Sequence, residues 1–196
     1  MKELFFPQNA TEKERTLNWK QIAIISDKDF GFNTPKEKTN ITRFGVRVLL
    51  FNERQEICVI KSEKYGYMQL PGGGIDEGES ILEGLKRETR EETGFLIKNI
   101  KPLGYTVEKR EDIRNTHEFD QDISYVFSAL PDKEIGTNYM DDEIAEGFKP
   151  IWISLDDFIS EQEAREGKIE NYSGCFATRR DLEITKYYCR IIDKQN

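Results

Sequence analysis

Apolar residues fall along this chain in short runs closed by polar turns, and only a few stretches carry a helical period. Runs at Gln21–Ser26, 44–51, Ile57–Ser62, 95–100, 103–109, 123–130 and Phe148–Ile153 predict strands. The second and third form a hairpin across the polar turn 52–56. Helical patterning starts after Ser80, again near Ser154, and over 160–167 and 179–192. The last of these offers Leu182, Ile184, Tyr187, Tyr188 and Ile191 for burial, with 171–177 as the loop before it. Segments 110–122 and 131–146 are charged and read as loops. Strands outnumber helices and the strongest helix lies between strands, which predicts an α/β fold.

That strongest helix carries the chemistry. Ser80 with Glu83 makes a capping box, and Gly94 stands where helices terminate. At about 100° per residue, Ile81, Leu82, Leu85 and Thr89 form the core stripe. Glu88, Glu91 and Glu92 form an adjoining one, while Glu83, Lys86 and Arg90 take the outer face. Gly84 lies on the acidic side, where a bulkier residue would cover the carboxylates. Arg87 precedes Glu91 by one turn and can pair with it. Like charges at this spacing cost roughly 0.2–0.5 kcal/mol per pair. Where water is partly excluded, the repulsion at about 4 Å rises to roughly 4 kcal/mol. A hard divalent cation such as Mg²⁺ or Mn²⁺ would convert that repulsion into binding.

These residues resemble the signature of the Nudix hydrolases. Gly73, Glu79, Arg87, Glu88, Glu91, Glu92, Gly94 and Phe95 stand at its spacing, and Thr89 replaces its bulky aliphatic residue. The resemblance extends more loosely over 42–158 and leaves both ends uncovered. It implies an α/β/α sandwich with a mixed sheet, the Nudix helix against one face and a C-terminal helix against the other. It also implies metal-dependent hydrolysis, by water attack at phosphorus, of a diphosphate linkage in a nucleoside diphosphate linked to another group X. Glu88, Glu91 and Glu92 would hold the metal, joined by a backbone carbonyl of Gly72 or Gly73. Glu79 would act as a metal-shell partner or orienting acid, and Arg87 would hold Glu91. The loop before the Trp-containing strand would add a carboxylate, Glu143 or Glu146, with Glu143 preferred. Lys61 would contact phosphate. The expected organisation is an N-terminal extension over 1–40, adding a strand or a homodimer contact, a Nudix domain over 41–160, and a helical extension over 161–196.

Composition narrows the classes. A chain of 196 residues with 37% hydrophobic and 34% charged residues is a soluble globular protein of one domain with appendages. Its net charge of −8 argues against general nucleic-acid binding and would repel an anionic substrate unless a metal or local cations intervene; the small nucleotide-type substrate is what the resemblance implies. Arg47 and Lys61 are the cations of the first hairpin and the candidate phosphate contacts; Tyr65 and Tyr67 could stack on a base. Cys58, Cys175 and Cys189 follow no metal or disulfide spacing, which predicts reduced thiols in the cytoplasm. No apolar run is long enough to span a membrane. His117, the only histidine, lies in a polar loop, and no Ser/His/Asp triad assembles around it. The alternatives are a non-catalytic nucleotide-binding module, an ADP-ribose pyrophosphatase, and an isomerase of prenyl diphosphates. The last would require a cysteine near the acidic helix, and the sequence has none there.

Overall fold

A computed structural model describes residues 5–139, 141–169 and 171–194. Its centre is a mixed sheet of seven strands: β1 (Gln21–Ser26), β2 (Thr42–Phe51), β3 (Ile57–Ser62), β4 (Met68–Gln69), β5 (Phe95–Lys109), β6 (Gln121–Glu134) and β7 (Phe148–Ile153). The order is β1-β5-β6-β2-β3-β4, with β7 on the far edge of β3. β1 runs parallel to β5 and β2 parallel to β6; the remaining pairs are antiparallel.

The splay between β2 and β3 positions the site. The two strands pair only through Leu50–Cys58 and Phe51–Ile57. Beyond that point the freed edge of β2 is taken by the glycine segment. Val48 N–H donates to the Pro71 carbonyl at 3.0 Å, Val46 N–H to Gly73 at 2.9 Å, and Ile75 N–H to Phe44 at 2.9 Å. The glycines are therefore part of the ladder on that edge.

Alternation along β2 builds two cores. Val46, Val48 and Leu50 face α2 (Ile81–Thr93), where Ile81 and Leu85 are fully buried. Each such side chain contributes about 1.5–3 kcal/mol. Leu49 and Phe51 face the opposite layer with Phe158 and Ile184, from α4 (Leu155–Arg165) and α5 (Tyr172–Asp193). A strand buried on both faces explains why 44–51 reads as an almost unbroken apolar run. The α/β/α sandwich implied by the sequence is the fold observed.

The N-terminal segment closes the α2 side. It holds α1 (Glu12–Thr16), and Glu14, 1% exposed, accepts the Leu82 N–H at 2.8 Å in the first turn of α2. Trp19 packs on Tyr125 and Phe127 with ring centroids 4.9 and 5.5 Å away.

Several expected boundaries move. Segments 95–100 and 103–109 are one strand, with register irregularities around residues 98–104. Residues 141–146, expected as loop, form α3 (Asp141–Glu146). Residues 171–177, also expected as loop, are mostly the first turns of α5. Asn171 caps that helix through the Gly174 N–H at 3.0 Å, and Tyr172 and Phe176 pack with Ile25, Phe30 and Phe32. Their i,i+4 spacing is helical, but only the strand and aromatic turn beneath them show what they bury.

Candidate active site

Gly72 is gripped from both layers. Its N–H donates to Glu92 Oε2 at 2.6 Å, and its carbonyl accepts from the guanidinium of Arg47. Just before it, Leu70 N–H donates to Asp181 Oδ2 of α5 at 2.7 Å. Gly72 has φ +131°, and a Cβ there would run into the Val46 carbonyl, so only glycine fits. At Gly73 the space of a Cβ is filled by the Glu88 carboxylate, at 2.5–2.7 Å. The loop has shed its side chains so that acids of α2 can lie against its backbone.

Arg87 organises the acids. Its guanidinium reaches Glu79 Oε1 at 2.8 Å and Oε2 at 2.9 Å, Glu88 Oε1 at 2.8 Å, Glu91 Oε2 at 3.3 Å and Asp76 at 3.4 Å. It also donates to the Gly74 carbonyl at 2.8 Å. The expected Arg87–Glu91 pair is thus the longer one; Glu79 and Glu88 hold the arginine more closely. This pairing to Glu79 draws the arginine's pKa above its usual range and draws that of Glu79 below the carboxylate value. Glu88 moves the other way: burial raises its pKa despite Arg87. Four carboxylates lean on a single guanidinium, which leaves the cluster strongly negative.

Glu79, Glu88 and Glu91 come together; Glu92, 5% exposed, stands apart on Gly72. Among the described residues no group of three or more His, Cys, Asp or Glu stands placed to hold an ion, because the Arg87 guanidinium lies between the carboxylates. The donors are nevertheless all oxygen, in negative excess and gathered beside the glycine loop, which is the chemistry a hard divalent cation needs.

Other expected residues fall elsewhere. Arg47 is 8% exposed and spends its guanidinium on the Val46 and Gly72 carbonyls, so it supports the loop and is not open to a substrate. Burial lowers its pKa to about 10, which leaves it charged at neutral pH. Lys61 shares the strand face of Ile57 and Val59, beside Met68, on the α4–α5 side of the sheet and away from α2. Tyr67 lies on that side too, its hydroxyl donating to Glu146 Oε2 at 2.8 Å. Glu143 falls within α3, but its side chain lies outside the described residues. His117 contacts Ser173 Oγ at 3.1 Å, and no carboxylate bonds its ring among the described residues. All three cysteines are free, and burial pushes the Cys58 thiol up to about 12. Among the described residues no helix is long and apolar enough to cross a membrane.

Sequence reasoning missed Arg43. It lies two alternations before Arg47 on β2, pairs with Asp122 at 2.6 Å, and keeps 37% of its side chain exposed. A Cβ on Gly74 would lie 2.9 Å from its Nη2, so this cation sits against the glycine loop. Its place at the start of the strand, where the hydrophobic run had not begun, hid it.

The raised Glu88 pKa gives a testable consequence. Ionising Glu88 costs more in the folded than in the unfolded chain, so the parent loses stability as pH rises through the window above the ordinary carboxylate value. In EDTA, Glu88→Gln is expected to match the parent near pH 4 and to melt higher at pH 7–8, about the range that brackets a raised carboxylate. Thermal melts across that range check it; a parent that gains on the variant as pH rises contradicts it.

A family model described as NUDIX domain matches residues 41–173. An RNA pyrophosphohydrolase of Ruthia magnifica subsp. Calyptogena magnifica is 41% identical over 64 residues, 33% of this chain and 36% of that protein. An 8-oxo-dGDP phosphatase of Danio rerio is 46% identical over 53 residues, 26% of this chain and 16% of that protein. The matched stretch therefore spans about a third of the length of the first relative and about a sixth of the second. A NUDIX hydrolase from Nitrosomonas europaea superposes with a TM-score of 0.50 at 17% identity, covering 71% of this chain and 89% of that one, a likeness of fold.

Proposed function

The chain belongs to the Nudix family, and on that premise we propose that it hydrolyses a diphosphate linkage in a nucleoside diphosphate linked to X, with a divalent metal. The observation that carries this reading is the lodging of Glu88 and Glu92 against a glycine loop that has no side chains to exclude them. Glu88, Glu91 and Glu92 would hold Mg²⁺ or Mn²⁺, which when bound neutralises phosphoryl oxygens and acidifies water. Arg87 keeps the carboxylates from repelling one another until then. Glu79, kept ionised by Arg87, is the orienting acid or base at the loop. Arg43, beside Gly74, replaces Arg47 as the cation positioned for a phosphate. The added carboxylate of the 141–146 segment stays assigned to Glu143, and Tyr67 and Lys61 to the far side of the substrate. Free thiols suit a reducing compartment such as the cytoplasm.

The test is product release from a panel of nucleoside triphosphates, nucleotide sugars, ADP-ribose and 8-oxo-dGDP, with Mg²⁺, with Mn²⁺ and in EDTA. At least one compound should release a nucleoside monophosphate or inorganic phosphate, only with metal, and ¹⁸O from labelled water should appear in a phosphate product. Binding of a nucleotide without release from any compound would instead identify a regulatory module.

A further inference from the structure

A cavity of about 750 Å³ opens on the α4–α5 side of the sheet, bounded by the turn before β4, the end of α3 and the junction of α4 with α5. Its volume falls within the roughly 300–1,000 Å³ usual for small-molecule sites. Tyr65, Tyr67, Gln69, Glu146, Arg165 and Lys168 are among its walls.

The walls of this cavity carry rings, cations and a carboxylate. Near the glycine loop stands Gln69, three residues before Gly72 and hence at most about 11 Å of extended chain from it. A row of rings makes the same connection: Tyr67 meets Phe148 at 6.0 Å, Phe148 meets Tyr139 at 6.5 Å, and the Tyr139 hydroxyl donates to the Glu92 carbonyl at 2.8 Å. In the middle, the Tyr65 and Tyr67 rings are parallel within 10°, centroids 6.4 Å apart, with Tyr65 56% exposed. Glu146 fixes the Tyr67 hydroxyl, so that ring is pre-set for stacking. Beside the two tyrosines Arg165 donates to the Gly66 carbonyl at 3.2 Å, and its Nε is buried with no hydrogen-bond partner. Lys168 is exposed nearby, and neither cation has an ion-pair partner among the described residues. In a chain of net charge −8, two cations without an ion-pair partner among the described residues, on one cavity wall, mark a place for an anion.

We propose that this cavity selects a nucleotide carrying a second phosphate on its sugar, remote from the diphosphate that is cut. The base stacks on Tyr65 and Tyr67, and the second phosphate meets Arg165 and Lys168. The assignment deepens the hydrolase reading and rests on it only for which end carries the diphosphate. A free 3′-phosphate and the first internal phosphate of a 5′-phosphorylated RNA present the same chemistry here.

Calorimetric titration of the full chain in EDTA separates the possibilities. The probes are the four nucleoside 5′-monophosphates, their 3′,5′-bisphosphates and 5′-phosphorylated dinucleotides. For at least one base, the bisphosphate or the dinucleotide should bind the parent at least tenfold more tightly than the monophosphate. Arg165→Gln combined with Lys168→Gln should erase that preference, and Tyr65→Ala should weaken all probes of that base alike, with thermal melts showing each variant folded. A tighter bisphosphate identifies a small nucleotide as the source, and a tighter dinucleotide an RNA end. Equal affinities in the parent, or a preference that persists in the double variant, overturns the assignment. Because no turnover is measured, a phosphate preference in a protein that hydrolyses nothing retires only the hydrolase reading. Hydrolysis without the preference retires only this one.

Discussion

Glu92→Gln is expected to lower Mg²⁺-saturated turnover by at least about 10²-fold, the scale of losing one charge-stabilising group in a water-poor site. Glu92 is 5% exposed and its Oε2 receives the Gly72 N–H at 2.6 Å. A glutamine keeps that acceptor oxygen and the same shape, so the loop should stay in place. Stability in EDTA should change by no more than about 1 kcal/mol, the worth of exchanging a charged hydrogen bond for a neutral one. Steady-state kinetics beside thermal melts decide it. Unchanged turnover would remove Glu92 from the chemistry and leave it a clamp on the loop.

Arg87→Ala should do the reverse, costing stability first. The arginine is the shared partner of Glu79, Glu88 and Glu91, whose side chains are 21%, 15% and 25% exposed. Breaking a fully buried pair costs about 3–5 kcal/mol; solvent at this site brings the expected loss to about 2 kcal/mol. Its pH dependence carries a sign. In the parent, Glu79 has a lowered pKa, so its contribution is present above the ordinary carboxylate value and is lost as pH falls through the lowered one. In the variant the unshielded carboxylates have raised pKa values, so stability is greatest in acid and is lost as pH rises. Mg²⁺ should restore more stability to the variant than to the parent, because it replaces the missing positive charge. Arg87→Lys keeps the charge but loses the two-pronged hold on Glu79 and should fall between them. Denaturant melts at three pH values, with and without Mg²⁺, test all of this. A variant whose stability follows the parent's pH profile would show that Arg87 does not shield the acids.

The acidic helix was legible because its information is local. Capping residues, the apolar stripe and the acid spacing all lie within one segment, and the observed bounds Ile81–Thr93 follow from Ser80 and Gly94. Thr89 also resolved locally: its hydroxyl bonds the Leu85 carbonyl at 2.7 Å and lets a polar residue stand in the core. The boundaries that moved depend on distant partners. Nothing between 95 and 109 says that two apolar runs share one strand; β6 alongside them decides it. The first turns of α5 became visible only against β1 and the aromatic turn after it.

Arg47 and Arg43 show the limit most clearly. Both are arginines on β2 and on the same alternation, and the pattern favoured Arg47 because it interrupts the apolar run. Its carbonyl partners are its own neighbour Val46 and Gly72 of the glycine segment folded back onto the strand edge, which makes it a buried support. Arg43, at the strand's open end, keeps the solvent contact a phosphate would need. The sequence by itself determined which residues form the acidic helix, which glycines precede it and which family they belong to, since each depends on spacing along one segment. Only the tertiary structure decided that Arg87 stands among the acids, that Gly72 is held from two layers, and that a cationic cavity opens behind the sheet. These rest on contacts between residues far apart in the chain, and such contacts leave no periodic trace.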